Sequence, residues 1–145
     1  KHNYVWEITS CNLKKGRWCP ICSMCYNEKV LYDIFKNNNI NIIPQYTFED
    51  LQGETNELLK FDFGILDDYG NLKYLIEVDD EEHNDNHKSE RRIIAKQRDL
   101  KKDKYCKDNG IKLYRMKVPF RNNKRNEYGL DSYQKYIKNY FKELL

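Results

Sequence analysis

With three prolines and six glycines in 145 residues, the chain has neither a collagen-like repeat nor a low-complexity bias. No apolar run approaches the roughly 20 residues that span a bilayer as a helix. No signal-peptide pattern opens it, so a soluble intracellular protein is expected, cytoplasmic or in the nucleoid or nucleus, with no membrane partner. A large net charge is also missing. Lys and Arg total 26 and Asp and Glu 23, which leaves +3 and selects no class of partner by itself. Nothing marks the five cysteines as secreted, which argues against a disulfide scaffold. What remains, 39% hydrophobic and 14% aromatic content, is enough for one buried core.

The charge that is present is segregated. Residues 77–85 are almost wholly acidic, whereas residues 88–107 carry nine basic side chains against three acidic ones. An acidic focus beside a basic face suits a phosphodiester substrate, because a bound cation offsets the acids while Lys and Arg meet phosphates. A solvated helix of mixed charge remains the other reading of the basic run.

The acidic focus terminates the stretch 72–83, LKYLIEVDDEEH, which starts as a buried strand and ends in five carboxylates and a histidine. Residues 58–66, LLKFDFGIL, read as a second strand, and the DDYGN turn at 67–71 closes the two into an antiparallel hairpin. Asp62 lies inside the first strand, where a lone carboxylate is costly to bury. In register, Asp62 and Glu77 approach from neighbouring strands, and two ionised carboxylates repel unless a cation lies between them. Hard oxygen donors of this kind suit Mg²⁺ or Mn²⁺.

FDF, a hairpin, and then IEVD with a histidine four residues beyond the Asp together resemble the PD-(D/E)XK nucleases. The branch resembled is that of the very-short-patch-repair endonucleases. The resemblance spans residues 28–116, with two departures: Asp80 stands where the branch carries Gly, and Glu82 where it carries Gln. It implies a restriction-endonuclease-like α/β fold and metal-dependent hydrolysis of DNA. Asp62, Glu77 and the Val78 carbonyl would hold the metal. The usual Lys two residues after the Glu is replaced by Asp79. Lys102, in a D-x-x-K with Asp99 on the following helix, is the candidate substitute, an ordinary ion pair being the other reading. His83 is a candidate general acid or second metal ligand. Glu28 is either a further metal ligand or a capping acid. Gln45, in Q-x-x-F with Phe48, is either a phosphate or water ligand or a solvent-facing polar residue. Arg115 would bind phosphate or pair with an acid, and Arg91, Arg92, Arg98 and Arg121 would line the DNA face.

Residues 1–26 differ from the rest. Cys19, Cys22 and Cys25 form a C-x₂-C-x₂-C run, and a C-x₂-C turn presents two thiolates to Zn²⁺. His2 and Trp6 followed by GRWCPIC resemble the small zinc-ribbon repeats that precede some nucleases of this branch. Such a repeat carries a further Cys just before the His, a place that Lys1 does not extend to fill. The resemblance implies structural zinc on His2, Cys19 and Cys22 with Cys25 or Cys11. Reduced, partly buried thiols are the alternative. The chain is also expected to be part of a longer multidomain protein, and a homodimer is compatible with double-strand cutting.

The remaining pattern predicts helices over 27–37 with Asn27 as cap, 88–109 and 131–145. Strands are expected over 40–48, with Pro44 marking an edge or bend, and over 111–118. A polar loop fills 49–57, and RNNKRN at 121–126 is a basic loop. The expected architecture is a mixed α/β sheet with helices on both faces, residues 1–26 forming a zinc-ribbon-like appendage and 27–145 the nuclease domain. The expected activity is that of a metal-dependent endodeoxyribonuclease. The competing class is a nuclease fold without catalysis that serves as a DNA-binding module.

Overall fold

The computed structural model describes residues 10, 19–80, 90–118 and 125–145. Along these the order is α1 (Tyr26–Asn37), β1 (Asn41–Gln52), β2 (Leu58–Leu66), β3 (Leu72–Asp80), α2 (Glu90–Asp108), β4 (Leu113–Val118) and α3 (Arg125–Tyr140). The strands form one four-stranded sheet in the order β1-β2-β3-β4. The pairs β1–β2 and β2–β3 are antiparallel and β3–β4 is parallel, so the sheet is mixed as the sequence led us to expect.

α1 buries Val30, Leu31, Ile34 and Phe35, the helical-period stripe. Its cap differs from expectation. Cys25 is the N-cap, its Sγ accepting from the Glu28 N–H, while Glu28 Oε2 accepts from the Cys25 N–H at 2.7 Å. Asn27 is instead a buried residue inside the first turn. β1 also runs further than expected, to Gln52, because Leu51 alternates inward and is buried, so only residues 53–57 remain as a connection. At the other end α3 begins at Arg125, inside the segment expected to be a basic loop.

The sheet separates two cores. On one face α1 and α3 pack Phe35, Ile137 and Phe141 against Phe63, Ile65, Tyr74, Ile76 and Met116. On the other, Leu51, Leu59, Phe61 and Leu75 lie with Cys106 of α2. Residues two apart in a regular strand share a face, yet Phe61 and Phe63 belong to opposite cores. Across the ladder, Pro44 pairs with Phe63 and Tyr46 with Phe61, and Gln45 between them has φ +55°. A non-glycine residue in that left-handed region is uncommon and redirects the strand locally. Gly64 admits the Tyr46 ring beside this kink, since a Cβ there would lie 2.3 Å from Tyr46 Cδ2.

The β2–β3 turn is built on Asp67, whose Oδ1 accepts from the N–H groups of Tyr69 and Asn71, with Gly70 at φ +85°. This turn fixes the register in which Phe63 faces Ile76, and so sets the position of the acids.

Candidate functional site

Leu75 and Glu77 alternate onto the face covered by α2, and the register beyond the Phe63–Ile76 pair carries Asp62 alongside Glu77. The charges of the two carboxyl groups act on each other. Asp62 Oδ2 also accepts from the Val78 N–H at 2.7 Å, where β3 has passed the last paired residue of β2. Glu77 is 5% exposed. Burial first, and the neighbouring Asp62 charge second, push its carboxyl up to about 8, although Lys102 and Arg115 pull the other way. Asp62 is raised as well, chiefly by burial, against the pull of the Val78 N–H, the Glu77 side chain and Lys102.

α2 supplies the cation. Lys102 Nζ lies 2.5 Å from Glu77 Oε1, and the same ammonium sits 5.3 Å from the centre of the Phe61 ring. One turn on, at i+4, Cys106 is buried against the sheet. Lys102 is therefore held on the inward stripe, with apolar contact on one side and a carboxylate on the other.

Asp79 is held differently. Its Oδ1 lies 3.3 Å from Arg115 Nη1, and Arg115 also meets Asp103 (Nε to Oδ1, 2.9 Å) and Asp99 (Nη2 to Oδ1, 3.6 Å). The guanidinium pKa is raised: burial works against the charge, but hydrogen bonding to Asp103 and the charges of Asp79, Asp103 and Asp99 outweigh it.

Asp62, Glu77, Asp79 and Lys102 thus converge, with the Val78 backbone and Arg115 at the margin. Glu28 is engaged at the start of α1, in the capping box with Cys25. Gln45 lies between Pro44 and Tyr46, whose ladder partners are Phe63 and Phe61. Arg98 forms ion pairs with Glu54 and Glu57, which tie α2 to the β1–β2 connection. Arg92 is exposed on α2. The Arg91 side chain, His83, Arg121, His2 and Cys11 lie outside the described residues. Cys19 is buried and Cys22 exposed. Cys25 is at the helix cap.

Sequence reasoning missed Asp103 and Phe61. The i,i+4 spacing of Asp99 and Asp103 on either side of Lys102 was the available signal for the first. Nothing along the sequence marks Phe61, because its placement follows from the kink.

Among the described residues no three His, Cys, Asp or Glu side chains are grouped to hold a metal. Mg²⁺ and Mn²⁺ nevertheless suit the pair, since such ions keep several waters and take only one or two carboxylates from the protein. In an extended strand the N–H and C=O of one residue leave the same edge. The Val78 carbonyl accordingly leaves β3 on the edge where its N–H meets Asp62. Two hard carboxylates whose charges oppose each other, one of them buried, are a donor set that a divalent cation would relieve of repulsion. Among the described residues no helix is long and apolar enough to cross a membrane. Comparison with models of protein families, with curated proteins and with solved structures finds no match to this chain.

Proposed function

We propose that the chain is a metal-dependent endonuclease of restriction-endonuclease-like type that hydrolyses phosphodiester bonds in DNA. The observation that carries this reading is the convergence of Asp62 from β2, which accepts from the Val78 N–H at 2.7 Å, with Glu77 from β3 and Lys102 from α2, which lie 2.5 Å apart. A close pair of carboxylates with one member buried and the other half-buried is expensive in a domain that needs no charge there. Here the pair is supported by a backbone N–H and an ammonium.

Asp62, Glu77 and the Val78 carbonyl would hold Mg²⁺ or Mn²⁺, which when bound supplies an acidified water and offsets charge on the reacting phosphate. Lys102 is the residue placed to orient that water or take its proton. Asp79 is less suited, because Arg115 already holds its carboxylate. His83 is retained as the proposed acid for the leaving oxygen, and the basic side chains of α2 as phosphate contacts. Cys19 and Cys22 are proposed as half of a structural zinc site completed by His2 and Cys25 or Cys11.

A second reading, a DNA-binding module without catalysis, is favoured by the absence of a three-ligand group among the described residues. Incubation with supercoiled plasmid separates the two. Nicking or linearisation that requires Mg²⁺ or Mn²⁺ and disappears in Asp62→Ala and Glu77→Ala supports the nuclease. Salt-sensitive binding without cleavage, unchanged in both variants, supports the module and sinks the nuclease.

A further inference from the structure

Arg115 invites assignment as a phosphate ligand, yet its surroundings assign it elsewhere. The side chain projects from β4 beside Glu77, its parallel partner in the register. Three carboxylates surround it: Asp79 from β3, and Asp99 and Asp103 from α2. One guanidinium among three acids leaves a local excess of negative charge, which opposes the approach of a phosphate.

α2 explains the need for this arrangement. Among its described side chains only Cys106 is a fully buried hydrophobic residue, and Ile93, Ile94 and Leu100 are exposed. With so little apolar area beneath it, the helix is held mainly by polar contacts. Arg98 meets Glu54 and Glu57, Lys101 donates to the Gln52 carbonyl, and the Tyr105 hydroxyl donates to Asp50. Those contacts fix the flank of α2 nearest the β1–β2 connection. The opposite flank is fixed by Asp99 and Asp103 on Arg115. Lys102 lies between the two flanks and faces Glu77.

We infer that Arg115 is a positioning residue: it clamps Asp99 and Asp103, fixes the rotation of α2 about its axis, and so holds Lys102 against Glu77. This rests on the nuclease reading only for its consequence in catalysis. Arginine suits the task because its planar fork reaches several carboxylates at once, which a lysine cannot reproduce.

The test uses Arg115→Lys and the double variant Asp99→Asn/Asp103→Asn, each read in two ways. The first readout, acylation of Lys102 by a small amine-reactive ester followed by peptide mass mapping, needs no cleavage activity. In both variants the protection of Lys102 is lost while circular dichroism stays native. The second readout is cleavage of a DNA duplex, where kcat falls by up to about 100-fold at unchanged KM, the loss that an ångström of misplacement produces. A phosphate-binding Arg115 gives a different pattern: KM rises in Arg115→Lys while Lys102 keeps its native protection. That pattern, or native protection of Lys102 in both folded variants, overturns the inference. If Lys102 loses protection and the native chain cleaves nothing, the positioning role stands and the nuclease reading fails.

Discussion

The Lys102 ammonium lies 2.5 Å from the Glu77 carboxylate across 25 residues of sequence, on a helix that rests on the sheet mostly through charged and polar contacts. The first consequence concerns a divalent ion, because Lys102 neutralises the oxygen that the ion would need. Lys102→Met is expected to bind Mn²⁺ more tightly than the native chain while cleaving DNA about 10²-fold or more slowly, the usual scale for loss of a proton-handling group. Isothermal titration with Mn²⁺ and single-turnover cleavage check the two halves. Weaker Mn²⁺ binding in the variant would show that Lys102 does not compete for the site.

Glu77 makes stability depend on pH in a direction opposite to that of a salt-bridged surface acid. Its folded pKa is raised from 4.5 to about 8, so the folded state holds a proton that the unfolded state has released. The native state then binds more protons between those values, and stability falls with rising pH. The contribution is fully present below about 4.5 and is lost as pH passes through about 8. Urea denaturation without divalent ions should show a lower midpoint at pH 9 than at pH 5.5, and a smaller difference in Glu77→Gln. Equal pH dependence in the two proteins would remove Glu77 as the cause.

A bound cation should reverse part of that loss. At pH 8, Mg²⁺ at about 100 times its dissociation constant is expected to stabilise the fold by about 2.7 kcal/mol. The gain should vanish in Asp62→Ala. Thermal denaturation with Mg²⁺ or with EDTA measures it, and an equal gain in the variant would place the ion elsewhere.

The kink beside Asp62 can be probed from both sides. Gly64→Ala puts a methyl group against the Tyr46 ring and should cost about 1–3 kcal/mol, as overpacking does. Gln45→Gly relieves a left-handed backbone that costs a side-chain-bearing residue about 1–2 kcal/mol. That gain is partly offset by the greater freedom of glycine in the unfolded chain. Denaturant midpoints give both signs, and a destabilised Gln45→Gly would mean that the Gln45 side chain contributes more than the strain removes.

Much of this framework is legible in the sequence because its signals are local. The DDYGN turn and the flanking alternation define β2 and β3 and bring Asp62 to Glu77, and Leu58–Leu66 is the strand that the pattern predicts. The alternating 111–118 segment and the basic run give β4 and α2 to within two residues. What the sequence hides depends on three-dimensional context. Asn27 looks like a cap, but the Cys25 thiol and Glu28 take that role. Residues 49–52 look like a loop because three of the four are polar, whereas the buried Leu51 and the pairing of Gln52 with Leu58 keep them in the sheet. Arg115 reads equally as a phosphate ligand or the partner of an acid, and which acids it meets, Asp79, Asp99 and Asp103, is visible only in the fold. Phe61 and Phe63, two residues apart, read as one face, yet they belong to opposite cores beside the left-handed Gln45 of β1.

The most direct measurement is the initial rate of hydrolysis of an end-labelled DNA duplex in Mg²⁺, for the native chain and for Glu77→Gln, an isosteric change that keeps the shape of the site. The expected result is Mg²⁺-dependent cleavage by the native chain, and a rate lower by about 10³-fold or more in a folded Glu77→Gln that still binds the duplex. Equal cleavage by the two proteins, or binding by both with cleavage by neither, would contradict a catalytic role for the Asp62, Glu77 and Lys102 cluster.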